Sequence, residues 1–132
     1  MAQTNFSGPL AVGAGQFETA VAAKSLTKKD SGKTILITGT GYTYTLPAPE
    51  AGLSYRFVVQ AAFATNFVVA GGNSLLHGAV DVNSARVNAT AASNINFVGT
   101  AETIGDFAEI WSDGTNWYVD GFAEAVGGIT AT

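Results

Sequence analysis

The sequence predicts an all-β fold, a single-domain antiparallel β-sandwich or jelly-roll-like barrel with an extended N-terminal arm. Three observations predict it. Short segments alternate apolar and polar residues, turn signals recur roughly every 8–12 residues, and no stretch reads as a strong helix. The chain has 132 residues, one domain of ordinary size. The reading divides it into an arm, residues 1–16, and a sandwich, residues 17–132.

The arm sets Phe6, Pro9, Leu10 and Val12 among Gly8, Gly13 and Gly15. Glycine at that spacing disfavours a helix, and the apolar residues disfavour a purely solvated tail. The segment is therefore expected to be extended, to bind a partner and to contribute little to folding. Residues 17–26 fit a strand through Phe17, Thr19, Val21 and Ala23, or a helical turn through Phe17, Val21 and Lys24; strand is preferred. Thr34-Ile35-Leu36-Ile37-Thr38 is β-branched and bounded by Gly32 and Gly39. Tyr42, Tyr44 and Leu46 alternate with Thr43 and Thr45, until Pro47 and Pro49 remove ladder donors. Leu53, Tyr55, Phe57 and Val59 alternate with Ser54, Arg56 and Gln60, which places the first set in the core and Arg56 outside it. A strand at 66–70 precedes the turn Gly71-Gly72-Asn73-Ser74, and weaker strands follow at 79–83 and 86–90. Ile95 and Phe97 alternate with Asn94 and Asn96. The sharpest local prediction is a hairpin of 107–112 and 117–120 around Gly114-Thr115. Glycine at the first loop position favours a type II′ turn. That register puts Trp111 opposite Tyr118 on one face and Ile110 opposite Val119 on the other.

Charge is low. Charged residues are 12% of the chain and hydrophobic ones 47%, against roughly 25% charged in typical soluble domains. A neutral surface of this kind suits a molecule covered by copies of itself or by a partner. The net charge of −4 opposes a nucleic-acid footprint, which needs a basic patch. Lys24, Lys28, Lys29 and Lys33 cluster around Asp30 without aromatics, and read as a solvated turn. Residues 1–6 lack a basic stretch followed by an apolar one, so no secretory signal is expected there, and no run is long enough to span a membrane.

Candidate chemistry fails on inspection. With no cysteine and one histidine, thiolate and histidine-based metal sites lack ligands. Ser31-Gly32-Lys33-Thr34 resembles the end of a phosphate-binding loop, but Thr27 stands where glycine is needed and a strand follows instead of a helix. Gly39-Thr40-Gly41 reads as a hairpin connection, and His77 as a loop or interface residue. Glu102, Asp106 and Glu109 fit solvation better than paired catalysis or calcium ligation. Asp113, Asn116 and Trp117 suggest a small sugar site, although the turn explains the first two. Asn5-Phe6-Ser7 and Asn88-Ala89-Thr90 match glycosylation sequons of the kind that arise by chance in such a composition. No catalytic residue, metal ligand or cofactor is assigned.

Several phrases recur together: Asp30-Ser31-Gly32-Lys33 before a strand, Tyr44-Thr45-Leu46-Pro47-Ala48-Pro49 leading to Ala51-Gly52-Leu53, and Tyr55-Arg56-Phe57-Val58-Val59. Near the end come Gly105-Asp106, Ser112-Asp113-Gly114-Thr115-Asn116-Trp117-Tyr118-Val119, Gly121 and Gly128-Ile129-Thr130. Over residues 30–130 this succession resembles small β-domains of tailed-bacteriophage virion proteins, found in head decoration (cement) proteins and fibre-like appendages. The resemblance implies a virion structural role, often as a homotrimer. The chain lacks a long repetitive shaft and a large adhesive head, which shifts the expectation toward a decoration protein on the capsid surface, assembled in the host cytoplasm. Its expected partners are the major capsid protein and itself, through Phe6, Pro9, Leu10, Val12, Trp111 and Tyr118. The alternative is a receptor- or glycan-binding module of a fibre or spike. A small glycan-active enzyme is disfavoured for want of a catalytic constellation.

Overall fold

The computed structural model describes residues 16–39 and 41–132. The expected arm, with Phe6, Pro9, Leu10 and Val12, lies outside the described residues except for Gln16. Twelve strands run through the remainder: β1 (Phe17–Ala20), β2 (Lys24–Ser25), β3 (Thr34–Ile37), β4 (Thr43–Thr45), β5 (Ser54–Val59), β6 (Phe67–Ala70), β7 (Leu76–Val82), β8 (Ala85–Ala92), β9 (Asn94–Phe97), β10 (Phe107–Ser112), β11 (Trp117–Ala123) and β12 (Ile129–Ala131). A single 3₁₀ turn, Lys28–Asp30, interrupts them.

The all-β single-domain sandwich is what forms. A seven-stranded sheet, in the order β1-β3-β5-β10-β11-β7-β8, packs on a five-stranded one, β12-β9-β6-β4-β2. Neither sheet is purely antiparallel as expected. β1, β3 and β5 are parallel neighbours in the large sheet, and β2, β4 and β6 are parallel neighbours in the small one. The cause is the path of the chain, which alternates between sheets from β1 to β6. A parallel pair needs a long crossover, and here the crossover is itself a strand of the opposite sheet. The Gly39–Gly41 connection is accordingly no hairpin: it carries the chain from β3 in one sheet to β4 in the other. Gly41 packs against the backbone of Thr65 and Asn66 where a Cβ has no room.

Alternation fixes what faces inward. Leu53, Tyr55, Phe57 and Val59 are buried and Arg56 is exposed, as their spacing predicts. Phe57 meets the rings of Tyr44 at 6.2 Å and Phe67 at 6.0 Å, so the aromatic cluster spans both sheets. Trp117 and Tyr55 form a second contact at 5.9 Å. The β10–β11 hairpin has the expected register, Ile110 opposite Val119 and Trp111 opposite Tyr118. Gly114 has φ +101° and Thr115 does not have a positive φ, the pattern of a type II′ turn. Residues 17–26 form strands β1 and β2, not a helix.

The lysine cluster is only partly a solvated turn. Lys28 and Lys29 are exposed, but Lys24 and Lys33 both reach the Asp30 carboxylate, at 3.2 and 2.9 Å, and that of Glu18, at 2.6 and 3.3 Å. Tyr44 donates to Glu18 Oε2 at 3.0 Å, and Asp30 Oδ2 accepts from the Thr27 N–H at 3.0 Å. Glu18 belongs to the large sheet, Lys24 and Tyr44 to the small one. The cluster therefore ties the two sheets together along their β1–β2 side. Burial alone would raise the Asp30 pKa, but hydrogen bonds from Lys33, the Thr27 N–H and Lys24 outweigh it and hold the carboxyl far below its usual range. In Glu18 burial is likewise overcome, by Lys24 first and then Tyr44 and Lys33.

Candidate functional site

The outward face of the seven-stranded sheet is built from the residues that alternate with the core. Three rows cross it. In the first, Ser54 of β5, Trp111 of β10, Tyr118 of β11 and His77 of β7 are successive cross-strand partners. The second runs Thr34, Arg56, Glu109, Asp120 and Ala79, and the third Leu36, Val58, Phe107, Phe122 and Asp81. Trp111 is 43% exposed and Phe122 45%. Tyr118, His77, Phe107, Val58 and Leu36 are half-buried, and among the described residues no sheet lies above them.

The first row is an aromatic ladder. The Trp111 and Tyr118 rings lie 6.3 Å apart, and those of Tyr118 and His77 6.5 Å apart. His77, expected as a loop or interface residue, thus lies on a strand and not in a loop. It meets Tyr118 because β7 and β11 pair in parallel, a long-range register that local sequence does not display. The β7–β8 register shifts between Leu76 and Gly78, where β8 fits in one residue more than β7. At Gly78, φ is +122° and a Cβ would run into the Val119 carbonyl, so glycine permits β7 to approach β11 closely there.

The hairpin tip orients the ladder. Asp113 Oδ1 accepts from the N–H groups of Thr115 and Asn116, at 2.8 and 2.9 Å, and its Oδ2 accepts from the Tyr118 hydroxyl at 2.7 Å. The Asn116 and Thr115 backbone bonds, with Tyr118, lower the Asp113 pKa to about 2. The same Asp113 hydrogen bond raises that of Tyr118. Replacing Asp113 with Asn should bring the Tyr118 phenol back toward its ordinary value near 10, read as earlier ionisation in an ultraviolet pH titration. An unchanged Tyr118 titration would show that the carboxylate does not hold the ring. Asp113 and Asn116 are therefore turn residues. Trp117, the platform that a sugar site there would have used, is fully buried and offers no surface.

Beside Trp111 an open groove of about 300 Å³ runs between the Gly32-Lys33 turn, β5 and β10, where Ser54, Arg56, Glu109 and Trp111 line it. Arg56 lies 3.5 Å from Glu109, and its guanidinium stands 4.9 Å above the Phe107 ring. The three carboxylates set aside in sequence do not converge. Asp106 is buried, bonding the Thr103 and Glu124 N–H groups, and Glu102 accepts from the Phe63 N–H. Solvation accounts for neither; both satisfy backbone donors. Among the described residues no cluster of His, Cys, Asp and Glu has the makings of a metal site.

Trp111 and Tyr118 come together as expected, and His77 joins them. The other expected binding residues, Phe6, Pro9, Leu10 and Val12, fall outside the described residues. No family model, curated protein or solved structure matches this chain.

Proposed function

We propose that this chain is a non-enzymatic structural protein of a tailed-phage particle, a decoration protein that binds the outer capsid shell and stabilises it. The observation that supports a docking role is the Trp111–Tyr118–His77 ladder on a sheet face that no other described strand covers, with Phe107 and Phe122 on the same face beyond the row of Arg56, Glu109 and Asp120. Exposed aromatic side chains gathered on one sheet face mark interaction sites, and Trp and Tyr are among the residues that most often anchor them. The virion assignment rests on the resemblance carried by residues 30–130, and the major capsid protein is the partner it implies. A homotrimer at each capsid site suits the role, since several weak contacts made at once multiply into lasting attachment.

The groove beside Trp111 favours a second reading, a receptor- or glycan-binding module. Its exposed indole next to Ser54, Arg56 and Glu109 pairs an aromatic platform with hydrogen-bonding groups. Co-sedimentation with purified capsids lacking the protein tests the first reading. Saturable binding to capsids with a blank glycan array is expected. Array binding without capsid binding would transfer the assignment to the second reading.

A further inference from the structure

The outward face of the seven-stranded sheet divides into two unlike halves along the line between β5 and β10. On the β10 side stand the large groups Trp111, Tyr118, Phe107 and Phe122. On the β5 side their rows continue into smaller groups, Ser54 and Gly32 in the first row, Val58 and Leu36 in the third. The second row reverses the pattern at its ends, with Phe17 on β1, 61% exposed, and Ala79 on β7. At its centre Arg56 and Glu109 stand on either side of the dividing line. Each half thus complements the other in size and in charge.

We infer that in the free protein a second copy of the chain covers this face, stacked outward face to outward face about a twofold axis that runs along the strands between β5 and β10. Such an axis exchanges the two halves. It sets Trp111 of one copy over Ser54 and the groove of the other, Tyr118 over Gly32, Phe107 over Val58 and Phe122 over Leu36. In the second row Phe17 meets Ala79, and Arg56 of each copy meets Glu109 of the other. Arg56 and Glu109 already lie 3.5 Å apart within one chain, so four charges of alternating sign close around the axis. Other axes fail on charge. One across the strands, along the second row, sets Arg56, Glu109 and Asp120 each against its own copy. One along β10 sets Glu109 against itself, and one between β10 and β11 sets it against Asp120. Like charges held face to face oppose association. Stacked sheets lie about 10 Å apart and align to within about 30°. Rows near the axis therefore keep these pairings while the outermost strands diverge.

The extent of the face sets the strength. Six of the seven strands about 4.8 Å apart, over a length of roughly 17 Å, offer roughly 500 Å² per copy. That is close to the lower bound of about 1,000 Å² in total for a specific interface, so the dissociation constant should be on the order of tens of micromolar. The dimer goes beyond the docking reading and does not rest on it. Any other partner for this face must first separate the two copies.

The charges at the axis allow a test that involves no capsid. Arg56→Glu and Glu109→Arg are prepared separately in the full chain, and sedimentation equilibrium follows each alone and the two mixed. Wild-type protein should exchange between monomer and dimer, with the dimer fraction rising with concentration. Each variant alone sets like charges against each other and should associate at least about tenfold more weakly. In an equimolar mixture each new charge meets its opposite on the other variant, and dimer should return to near the wild-type level. Mixing cannot repair a loss that arises within one chain. Ser54→Trp fills the seat of Trp111 from the opposite copy and should also be monomeric; it serves if either charge variant loses wild-type circular dichroism. Wild-type protein that stays monomeric to on the order of millimolar, or that forms a trimer instead, would overturn the inference. So would a mixture no more dimeric than its components, or a Ser54→Trp protein that dimerises like wild type.

Discussion

Phe57→Ala should lower stability by about 3–5 kcal/mol, the cost of removing a buried aromatic side chain and leaving a cavity. Phe57 is fully buried at the centre of the large sheet, and its ring bridges to Tyr44 and Phe67 of the small one. β5 is held on both sides, in parallel by β3 and antiparallel by β10, so the backbone has little freedom to collapse into the space. Arg56→Ala, one residue away, removes an exposed side chain whose ion pair with Glu109 is long and half-solvated, a contact worth at most about 1 kcal/mol. Urea denaturation of both variants checks the difference. Similar midpoints would mean that the inward and outward faces of β5 are reversed.

Asp30→Ala should cost about 2–3 kcal/mol. The Asp30 carboxylate meets Lys24, Lys33 and the Thr27 N–H together, and its removal leaves two partly buried ammonium groups sharing Glu18 alone. The figure sits at or below the lower end for breaking a buried pair, because both lysines retain a path to water. The cluster also sets a pH dependence. Asp30 and Glu18 have folded pKa values below their unfolded ones. Their contribution is complete above the unfolded values near 4 and is lost as pH falls through them toward the folded values. Chemical denaturation from pH 6 down to pH 2 should show the wild-type protein losing stability steadily while Asp30→Ala, already lacking the interaction, loses less. Parallel curves would remove Asp30 from the acid response.

The inward faces of the strands were legible in sequence because alternation is local. Leu53, Tyr55, Phe57 and Val59 declare their side within seven residues, and Gly114 declares the final hairpin through its turn geometry. Sheet membership was not legible. β1, β3 and β5 carry no local mark of being parallel neighbours, since that arrangement arises from a chain alternating between two sheets. The β7–β8 hairpin turns on Asn83 and Ser84, both at positive φ. Without a glycine in the loop it gave two weak strands instead of one clear hairpin. Asp30, Lys24 and Lys33 looked like a solvated turn because the group that draws them together, Glu18, lies on a strand of its own. The candidate site was half legible. Trp111 and Tyr118 follow from the hairpin, whereas His77 enters only through the parallel register of β7 with β11.

Docking is proposed to use the outward face of the seven-stranded sheet. The most direct measurement compares capsid occupancy for two paired variants, one carrying Trp111→Ser with Tyr118→Ser and the other Thr43→Lys with Thr45→Lys on the small sheet. Both pairs alter side chains outside the core, so both proteins should keep wild-type circular dichroism. If Trp111 and Tyr118 anchor the contact, the first pair should weaken binding by about thirtyfold or more, and the second should leave it near wild type. Wild-type occupancy by the first pair, or loss confined to the second, would show that docking does not use this face.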